Sequence, residues 1–403
     1  MPQKKTQTQQ AFVDSIRQAT PYIRAHRGST MVLTLGGEAV GEGFEELVND
    51  IALLNTLGIR LVLVHGARPQ IEQRLKQNGA DIHYVKGLRL TDDQALAAVK
   101  DAVGSLRVDI EAKLSMGLVN SPVPTNSIGV ATGNFVTARP LGIRDGVDYC
   151  HTGEVRRIDA TGIHQQLDAG RIVLLSPIGY SPTGEIFNLS AEEVATAASI
   201  ALHAEKLVML VEGEGLRDSR RRFIHQLSLI EAEQILRSRR KLSDEWTRHL
   251  VNTIDSCRRG VKRTHLVPRR THGGLLLELF TRDGIGTLVS AEIYEGLRVA
   301  SIDDVGGIMK LIEPLEEKGA LVKRSRERLE MEIEHFMVVK RDGMIVACAA
   351  LYPYDGQLAE LACVAVHPEY RGHGRGDDLL RAIEQRSRNM GIKHLFVLTT
   401  LTS

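Results

Sequence analysis

The chain has 403 residues, of which 43% are hydrophobic and 25% are charged, and its formal net charge is +1 at pH 7. These values are typical of a globular protein of roughly two or three domains, and they give no general attraction to nucleic acid or to an acidic membrane surface. No apolar run reaches the roughly 18 residues of a transmembrane helix. We therefore expect no nucleic-acid partner and no membrane partner.

The four cysteines, Cys150, Cys257, Cys348 and Cys363, show no CxxC pair and no other spacing typical of a metal site. We interpret them as free thiols of a protein in the reducing cytoplasm. The first ten residues are polar and do not resemble a signal peptide. The sequence therefore predicts a cytoplasmic location and no metal ion.

The N-terminal segment has apolar side chains at helical spacing over residues 11–27. This pattern predicts an amphipathic helix that Pro21 kinks or breaks, because proline has no amide hydrogen to donate within a helix. We assign residues 1–24 to a helical N-terminal arm, which could contact another copy of the chain.

Short apolar runs then alternate with helical segments. The strand-like runs cover residues 31–35, 59–64, 172–177 and 206–211, and the helical segments include residues 44–57 and 191–203. Continuous apolar runs of this length are typical of strands buried on both faces, and the helices between them favour parallel pairing. The pattern predicts an α/β domain with an open, mostly parallel sheet.

The pattern changes near residues 292–296, where we place the domain boundary. The predicted elements that follow are a helix over 299–315, strands over 336–340 and 345–353, a third strand over 358–367, a helix over 376–390 and a fourth strand over 394–398. An Asp342–Gly343 pair between the first two of these strands predicts a hairpin turn. Largely antiparallel strands with flanking helices predict an α+β domain.

Residues 360–380 read ELACVAVHPEYRGHGRGDDLL, so a strand is followed by a glycine-rich loop and a helix. The loop residues are Arg371, Gly372, His373, Gly374, Arg375 and Gly376. Unpaired amides at a helix N-terminus attract anions, and glycines let a pyrophosphate approach them. The stretch resembles the acetyl-CoA-binding motif of the GNAT acetyltransferases, (Q/R)-x-x-G-x-(G/A), which implies that these six residues bind acetyl-CoA. Without that context, the alternative is a glycine-rich turn with surface arginines.

Acetyl transfer to an amine requires a base, and Glu360 is our candidate because it lies on the strand that leads into the loop. Apolar neighbours would partly remove its carboxylate from water, which favours proton uptake. The alternative is a solvated glutamate on an edge strand. In GNAT enzymes the corresponding strand holds the pantetheine arm and the oxyanion, which implies that role for the backbone of Cys363, Val364 and Val366.

A basic run at residues 320–328 reads ALVKRSRER. By itself such a run is more often a solvated face. It is similar, however, to the segment in which the N-acetylglutamate synthases grip the glutamate substrate. The resemblance implies that Arg324, with Lys323, binds a carboxylate of L-glutamate.

Residues 63–71 read LVHGARPQI, and together with residues 35–37 and 187–193 they resemble the amino-acid kinase fold of the acetylglutamate kinases. A kinase needs a lysine and Mg²⁺ at the transferring phosphoryl group. The lysine expected before the paired glycines is absent, because residues 31–37 read MVLTLGG. The resemblance therefore implies a domain, residues 25–292, that has kept the kinase fold and lost phosphoryl transfer.

Residues 278–287 read ELFTRDGIGT and resemble the arginine-binding segment of arginine-inhibited acetylglutamate kinases and synthases. The resemblance implies an L-arginine effector site formed by Glu278, Gly284 and Gly286, with Tyr22 and His265 at matching positions. A guanidinium ligand requires such a carboxylate. From the residues alone, a hairpin turn is the alternative.

A kinase-like domain followed by a GNAT domain, residues 293–403, is the order found in bacterial N-acetylglutamate synthases, and the resemblance runs from about residue 12 to about residue 400. It implies acetyl transfer from acetyl-CoA to the α-amino group of L-glutamate, the first step of arginine biosynthesis, in a homo-oligomer that responds to L-arginine. Family members continue for another strand–helix–strand unit, so we expect the GNAT domain of this chain to be incomplete.

Two alternative functions remain open at this stage. The first is an arginine-binding regulatory protein with a vestigial acetyltransferase domain, and the second is an acetylglutamate kinase. Residues 217–270 carry an excess of basic residues but no nucleic-acid-binding motif, so they do not change the expectation of no nucleic-acid partner.

Overall fold

The computed structural model describes residues 2–41, 43–116, 128–213, 215–218, 221–238, 242–281, 283–290, 295–341, 344–355, 357–371 and 375–398. They form two compact units, Met1–Glu292 and Ile293–Ser403, each of which is treated by itself below. The predicted turn at Asp342–Gly343 and the loop residues Gly372, His373 and Gly374 lie outside the described residues.

The first unit is an α/β structure. Its described helices are α1 Pro2–His26, α2 Phe44–Thr56, α3 Arg68–Gln77, α4 Asp93–Ser115, α5 Ala160–Asp168, α6 Ala191–Ala201, α7 Leu229–Arg237, α8 Asp244–Arg258 and α9 Gly274–Phe280. Its described strands are β1 Thr30–Leu35, β2 Arg60–His65, β3 Tyr84–Val85, β4 Leu88–Arg89, β5 Val130–Ala131, β6 Val136–Pro140, β7 Ile143–Arg144, β8 Val147–Asp148, β9 Gly153–Ile158, β10 Ile172–Leu175, β11 Ile178–Tyr180, β12 Ile186–Asn188, β13 Lys206–Val211, β14 Gln226–Ser228, β15 Arg263–Pro268 and β16 Thr287–Ser290.

The main sheet of this unit runs in the order β14-β16-β15-β13-β1-β2-β10-β5. Its neighbouring strands are parallel except for the antiparallel pair β15 and β16. Both faces are buried, since Met31 and Leu33 of β1 pack in one apolar cluster and Val32 packs in the other. The predicted open, mostly parallel sheet is confirmed, and a second sheet of order β12-β11-β6-β9 lies in the same unit.

The N-terminal helix differs from its prediction. α1 begins at Pro2, and Pro21 lies within it without interrupting it before His26. Proline removes one amide donor, which a long helix can tolerate when other contacts hold it. The ring of His26 supplies such a contact, because its Nε2 lies 2.9 Å from the carbonyl oxygen of Leu279 in α9.

The second unit is an α+β structure. Its described elements are β17 Glu295–Val299, α10 Val305–Glu317, α11 Arg326–Met331, β18 Phe336–Arg341, β19 Met344–Tyr354, β20 Leu358–Val366, α12 Arg375–Asn389 and β21 His394–Phe396. The sheet order is β17-β18-β19-β20-β21, antiparallel except for the parallel pair β20 and β21. α10 and α12 pack into separate apolar clusters that take alternate residues of the central strands, so they cover opposite faces of the sheet.

One prediction for this unit is wrong in detail. The helix predicted over residues 299–315 begins only at Val305, because Glu295–Val299 pairs with β18 as a strand. Between them Ser301 caps a short 3-10 turn, and its amide donates to the carboxylate of Asp304 at 2.9 Å.

Candidate active site

Glu360 lies in the interior of the second unit's sheet. On β20 it is opposite Tyr352 of antiparallel β19 and opposite Phe396 of parallel β21. Its side chain is half-buried, and its Oε2 accepts a hydrogen bond of 3.1 Å from the hydroxyl of Tyr354. The alternative of a solvated glutamate on an edge strand is therefore wrong, because β20 has a partner strand on each side.

A β-bulge interrupts β20 three residues after Glu360. Between the pairs Ala350–Ala362 and Cys348–Ala365, β20 has one residue more than β19. Cys363, inside this interval, has φ +54°, a conformation that costs a non-glycine residue free energy. Bulges redirect side chains: Leu361 lies in the apolar cluster under α12, whereas Cys363, two residues later, lies in the cluster under α10.

The bulge lies where β20 and β21 part. The two strands pair only between Leu358 and Glu360 of β20. In the described chain no strand pairs with the later part of β20 on that side. Cys363 is buried, whereas Val364 is 37% exposed and Val366 is half-buried. Strand amides that a neighbouring strand leaves unengaged can bind a substrate amide or an oxyanion.

The glycine-rich loop connects β20 to α12. Of its described residues, Arg371 donates from Nε to the carbonyl oxygen of Val366 at 3.2 Å. α12 begins at Arg375, so its first amides and the positive end of its dipole point toward the loop. Gly376 is half-buried next to Val366, since a Cβ added to it would lie 3.9 Å from that side chain.

The basic run is divided between α11 and the segment before it. On α11, Arg326 pairs with Glu330 at 2.8 Å and Arg328 pairs with Glu332 at 2.9 Å. Lys323 is exposed, whereas Arg324 is half-buried. The Nη1 of Arg324 donates to the carbonyl oxygen of Val322 at 3.1 Å.

The surroundings of Arg324 favour it over its basic neighbours. Within the described chain its Nε is buried without a hydrogen-bond partner. The positive charge of Arg324 also acts on Cys363 in the bulge. The pKa of the Cys363 thiol is lowered first by the neighbouring Cys348 thiol and then by Arg324. The structure therefore places the predicted carboxylate-binding arginine beside the strand that carries Glu360.

Sequence reasoning missed two residues of this site, Tyr352 and Glu332. The hydroxyl of Tyr352 donates to Oε2 of Glu332 at 2.7 Å, while Arg328 holds the other carboxylate oxygen. The hairpin register alone would have indicated Tyr352, since residues directly opposite in an antiparallel pair share a face and Tyr352 is opposite Glu360.

In the first unit three of the predicted effector residues, His265, Glu278 and Gly286, form a buried cluster, and Gly284 lies against it. The carboxylate of Glu278 lies 2.6 Å from Nδ1 of His265 and accepts the amides of Ile285 and Gly286 at 2.7 Å each. Burial alone would raise the pKa of Glu278, but the hydrogen bond from His265 and the two amides lower it to about 2. Glu278 is therefore an anion that orders the segment around Gly284.

The glycines of this segment make close approaches. Gly284 has φ +59°, and a Cβ added there would lie 2.3 Å from Oε2 of Glu278. A Cβ on Gly286 would lie 2.5 Å from the carbonyl oxygen of Leu266. Both positions therefore exclude larger residues for steric reasons.

His265 connects the cluster to a buried lysine. Nζ of Lys206 lies 3.1 Å from Nε2 of His265. Burial and the positive charge of Lys206 lower the pKa of His265, so the ring is neutral at pH 7. A lysine ammonium only donates, so Nε2 accepts and Nδ1 carries the proton given to Glu278.

Tyr22 lies one helical turn before His26 on α1, with the two rings 6.4 Å apart. His26 in turn lies 5.9 Å from the ring of Phe280, two residues after Glu278. The structure therefore brings α1 to the helix that carries the effector cluster.

A cleft of about 230 Å³ lies at the carboxyl ends of β1 and β2, lined by Gly36, Gly37 and Gly66. This is the position at which the kinase resemblance implies phosphoryl transfer. None of the described residues that line it is a lysine. No described group of three His, Cys, Asp or Glu side chains could hold a metal ion, and no described helix combines the length and hydrophobicity needed to span a membrane.

The chain matches two families. Residues 29–267 match the amino acid kinase family and residues 307–403 match the acetyltransferase (GNAT) family. It is 53% identical over 395 residues to the amino-acid acetyltransferase of Pseudomonas putida (strain GB-1), covering 97% of this chain and 91% of that protein.

Solved structures are similar over nearly the same length. N-acetylglutamate synthase from Neisseria gonorrhoeae, complexed with coenzyme A and L-arginine, is 37% identical with a TM-score of 0.85, covering 97% of this chain and 91% of the other. The same enzyme complexed with coenzyme A and N-acetyl-glutamate is 38% identical with a TM-score of 0.67, covering 96% and 89%.

Proposed function

The chain belongs to the amino-acid acetyltransferases that join an amino acid kinase domain to a GNAT domain, and from this we propose that it is an N-acetylglutamate synthase. It transfers the acetyl group of acetyl-CoA to the α-amino group of L-glutamate, opening arginine biosynthesis, and L-arginine is its effector. One observation carries this proposal: Glu360, the bulge at Cys363 and the guanidinium of Arg324 lie near one another in the second unit.

Glu360 acts as the general base. Free α-amino groups are mostly protonated at neutral pH, so a proton must leave before the nitrogen can attack a thioester carbonyl. The half-buried carboxylate of Glu360, oriented by Tyr354, accepts that proton directly or through water. Backbone amides at Cys363 and Val364 stabilise the oxyanion that forms when the new C–N bond is made, and the C–S bond then breaks.

Acetyl-CoA, when bound, supplies the acetyl group as a thioester. The gap between β20 and β21 receives its amide-containing arm along Cys363, Val364 and Val366. Arg371, the N-terminus of α12 at Arg375, and Gly376 lie where its pyrophosphate would be held, with Gly372, His373 and Gly374 completing the loop. Arg324, with Lys323 beside it, binds the side-chain carboxylate of the acceptor.

The first unit serves as the arginine sensor. The gonococcal synthase was crystallised with L-arginine, and the corresponding fold is present here over the whole unit. We assign the effector site to Tyr22, His265, Glu278, Gly284 and Gly286. The buried Glu278 holds Gly286 and its neighbours in place, so that the segment can present its carbonyl groups to a guanidinium.

Thiol release from acetyl-CoA tests this function. The full chain is incubated with acetyl-CoA and L-glutamate, with and without L-arginine, and free thiol is measured. We expect release that depends on L-glutamate and changes when L-arginine is added. Glutamate-independent release, or ATP-dependent phosphorylation of N-acetylglutamate, would contradict the synthase assignment. No turnover, with L-arginine still raising the melting temperature, would select a regulatory protein with a vestigial acetyltransferase domain.

We also infer a cytoplasmic homo-oligomer. The four cysteines are free, which fits a reducing compartment. Phe12 and Ile16, one turn apart on α1, are 65% and 49% exposed, which fits contact with another copy of the chain.

A further inference from the structure

Glu332 determines which arginines of the basic run are free to bind an acceptor. Both of its carboxylate oxygens are engaged, one by Nε of Arg328 at 2.9 Å and the other by the hydroxyl of Tyr352 at 2.7 Å. The Arg326 guanidinium is likewise paired with Glu330. The two helical arginines are therefore neutralised by carboxylates of the chain itself.

Arg324 is held differently. Its amide donates to Oε1 of Glu316 at 3.0 Å and its Nη1 donates to the carbonyl oxygen of Val322. These contacts fix the backbone and one edge of the guanidinium without neutralising its charge, and within the described chain its buried Nε lacks an acceptor. A guanidinium in this state is suited to a carboxylate from a ligand.

Tyr352 stands between Arg324 and Glu332. Burial and then Glu332 raise the pKa of Tyr352, whereas the positive charge of Arg324 and its hydrogen bond to the tyrosine hydroxyl oppose that rise, so Arg324 and Glu332 both meet at this hydroxyl. Burial raises the pKa of Glu332, but the hydrogen bonds from Tyr352 and Arg328 and then the charges of Arg328 and Arg324 lower it. Glu332 is thus within electrostatic reach of both arginines, but among the described residues its side chain hydrogen-bonds to Arg328 and Tyr352 and not to Arg324.

We propose that Glu332 and Tyr352 are positioning residues that keep Arg324 available for the side-chain carboxylate of the acceptor and thereby set the preference for a dicarboxylic amino acid. This inference rests on the proposed function and identifies how the same site selects its substrate. Tyr352 holds Glu332 against Arg328, so Glu332 does not pair with Arg324. Without the tyrosine hydroxyl, the carboxylate is free to turn to Arg324 and to compete with the acceptor.

The main test is Tyr352→Phe in the full chain. We expect KM for L-glutamate to rise about 10-fold, the factor that corresponds to about 1.4 kcal/mol, the net value of a typical hydrogen bond. We expect kcat and KM for acetyl-CoA to stay within about 2-fold, since the ring of residue 352, the bulge and the hydrogen bond from Tyr354 to Glu360 are all retained. The ratio of kcat/KM for L-glutamate over L-glutamine should fall by the same factor, because L-glutamine lacks the side-chain carboxylate.

Glu332→Gln and Glu330→Gln form a matched pair on α11. Each removes the charge from an i,i+4 ion pair with an arginine, but only Glu332 contacts Tyr352. In the Tyr352→Phe background we expect Glu332→Gln to return KM for L-glutamate toward the wild-type value, because no carboxylate remains that can turn to Arg324. Glu330→Gln in the same background should leave the raised KM unchanged.

Several outcomes would overturn the inference. Equal losses of kcat for both acceptors in Tyr352→Phe, or a raised KM that Glu332→Gln does not lower in the Tyr352→Phe background, would each show a general structural role. Calorimetric titration of L-glutamate into the chain saturated with coenzyme A distinguishes a failure of this inference from a failure of the proposed function. If wild type binds L-glutamate and Tyr352→Phe binds it equally well, the inference fails; if wild type binds none, the synthase assignment itself fails.

Discussion

At the scale of single residues, the chemical role of a side chain was easier to predict from the sequence than the side chains that contact it. Glu360 and Arg324 were chosen from residue type and from resemblance, and the structure places both beside the bulge in β20. Tyr354, the hydrogen-bond partner of Glu360, and Glu332, the partner of Tyr352, could not be chosen in this way, because such contacts depend on packing that the local pattern does not encode.

Replacing Glu360 by Gln tests the base directly. The amide keeps the size of the side chain and the hydrogen bond from Tyr354 but cannot take up a proton, so we expect kcat to fall by about 10²–10⁴, the usual contribution of general base catalysis. Glu384→Gln, at an exposed position on α12, is the control and should leave kcat unchanged. Turnover of Glu360→Gln at the wild-type rate would remove Glu360 from the mechanism.

At the scale of elements, loops are held by buried side chains rather than by their own sequence. The 283–286 segment looks like an ordinary turn in the sequence, yet its amides bind the carboxylate of Glu278 on α9. Gly284 is needed for two reasons. Its φ is positive, and a Cβ at this position would overlap the carboxylate of Glu278. These two reasons can be separated by experiment.

Gly284→Ala and Gly273→Ala make the comparison. Both glycines have positive φ, +59° and +62°, but a Cβ on Gly273 meets nothing within 4 Å. We expect Gly273→Ala to cost about 1 kcal/mol of unfolding free energy from backbone strain alone. Gly284→Ala should cost roughly 2–4 kcal/mol, because it also displaces a buried hydrogen-bonded carboxylate, and it should weaken the response to L-arginine. Equal denaturant midpoints for the two variants would contradict this account.

At the scale of the whole molecule, buried histidines limit stability in acid. Burial lowers the pKa of His65 to about 4, despite its hydrogen bond to the carbonyl oxygen of Gly66. Burial and then the charge of Lys206 lower the pKa of His26 to about 4. In the unfolded chain both rings would take up protons near pH 6.5. As pH falls from 6.5 toward 4, the unfolded state therefore binds protons that the folded state excludes.

We accordingly expect the first unit to lose stability between pH 6.5 and pH 4, with no such loss above pH 6.5. Each shift corresponds to at most about 3.5 kcal/mol, at about 1.4 kcal/mol per pKa unit. Melting temperatures across this range measure the effect. His65→Gln should flatten the dependence on pH, whereas His83→Gln, at an exposed position, should not. A slope unchanged by His65→Gln would assign the acid lability to other groups.

The sequence by itself determined the order of the elements and the kind of chemistry. Runs such as residues 31–35 and 206–211 are too apolar and too short for anything but strands buried on both faces, and β1 and β13 confirm this. The glycine-rich residues 371–376 were predicted to bind an anion because few other structures use such a pattern between a strand and a helix. These properties are local, so a single chain segment is enough to reveal them.

Only the tertiary structure decided which side chains face one another. The extra residue at Cys363 is invisible in the sequence, because a bulge exists only relative to the partner strand β19. The basic run likewise contains four similar cations, and only the carboxylates that pack beside Arg326 and Arg328 distinguish these arginines from Arg324. Pairing of this kind depends on contacts between residues that are far apart in the sequence. The fold sets these contacts, and local residue patterns do not predict them.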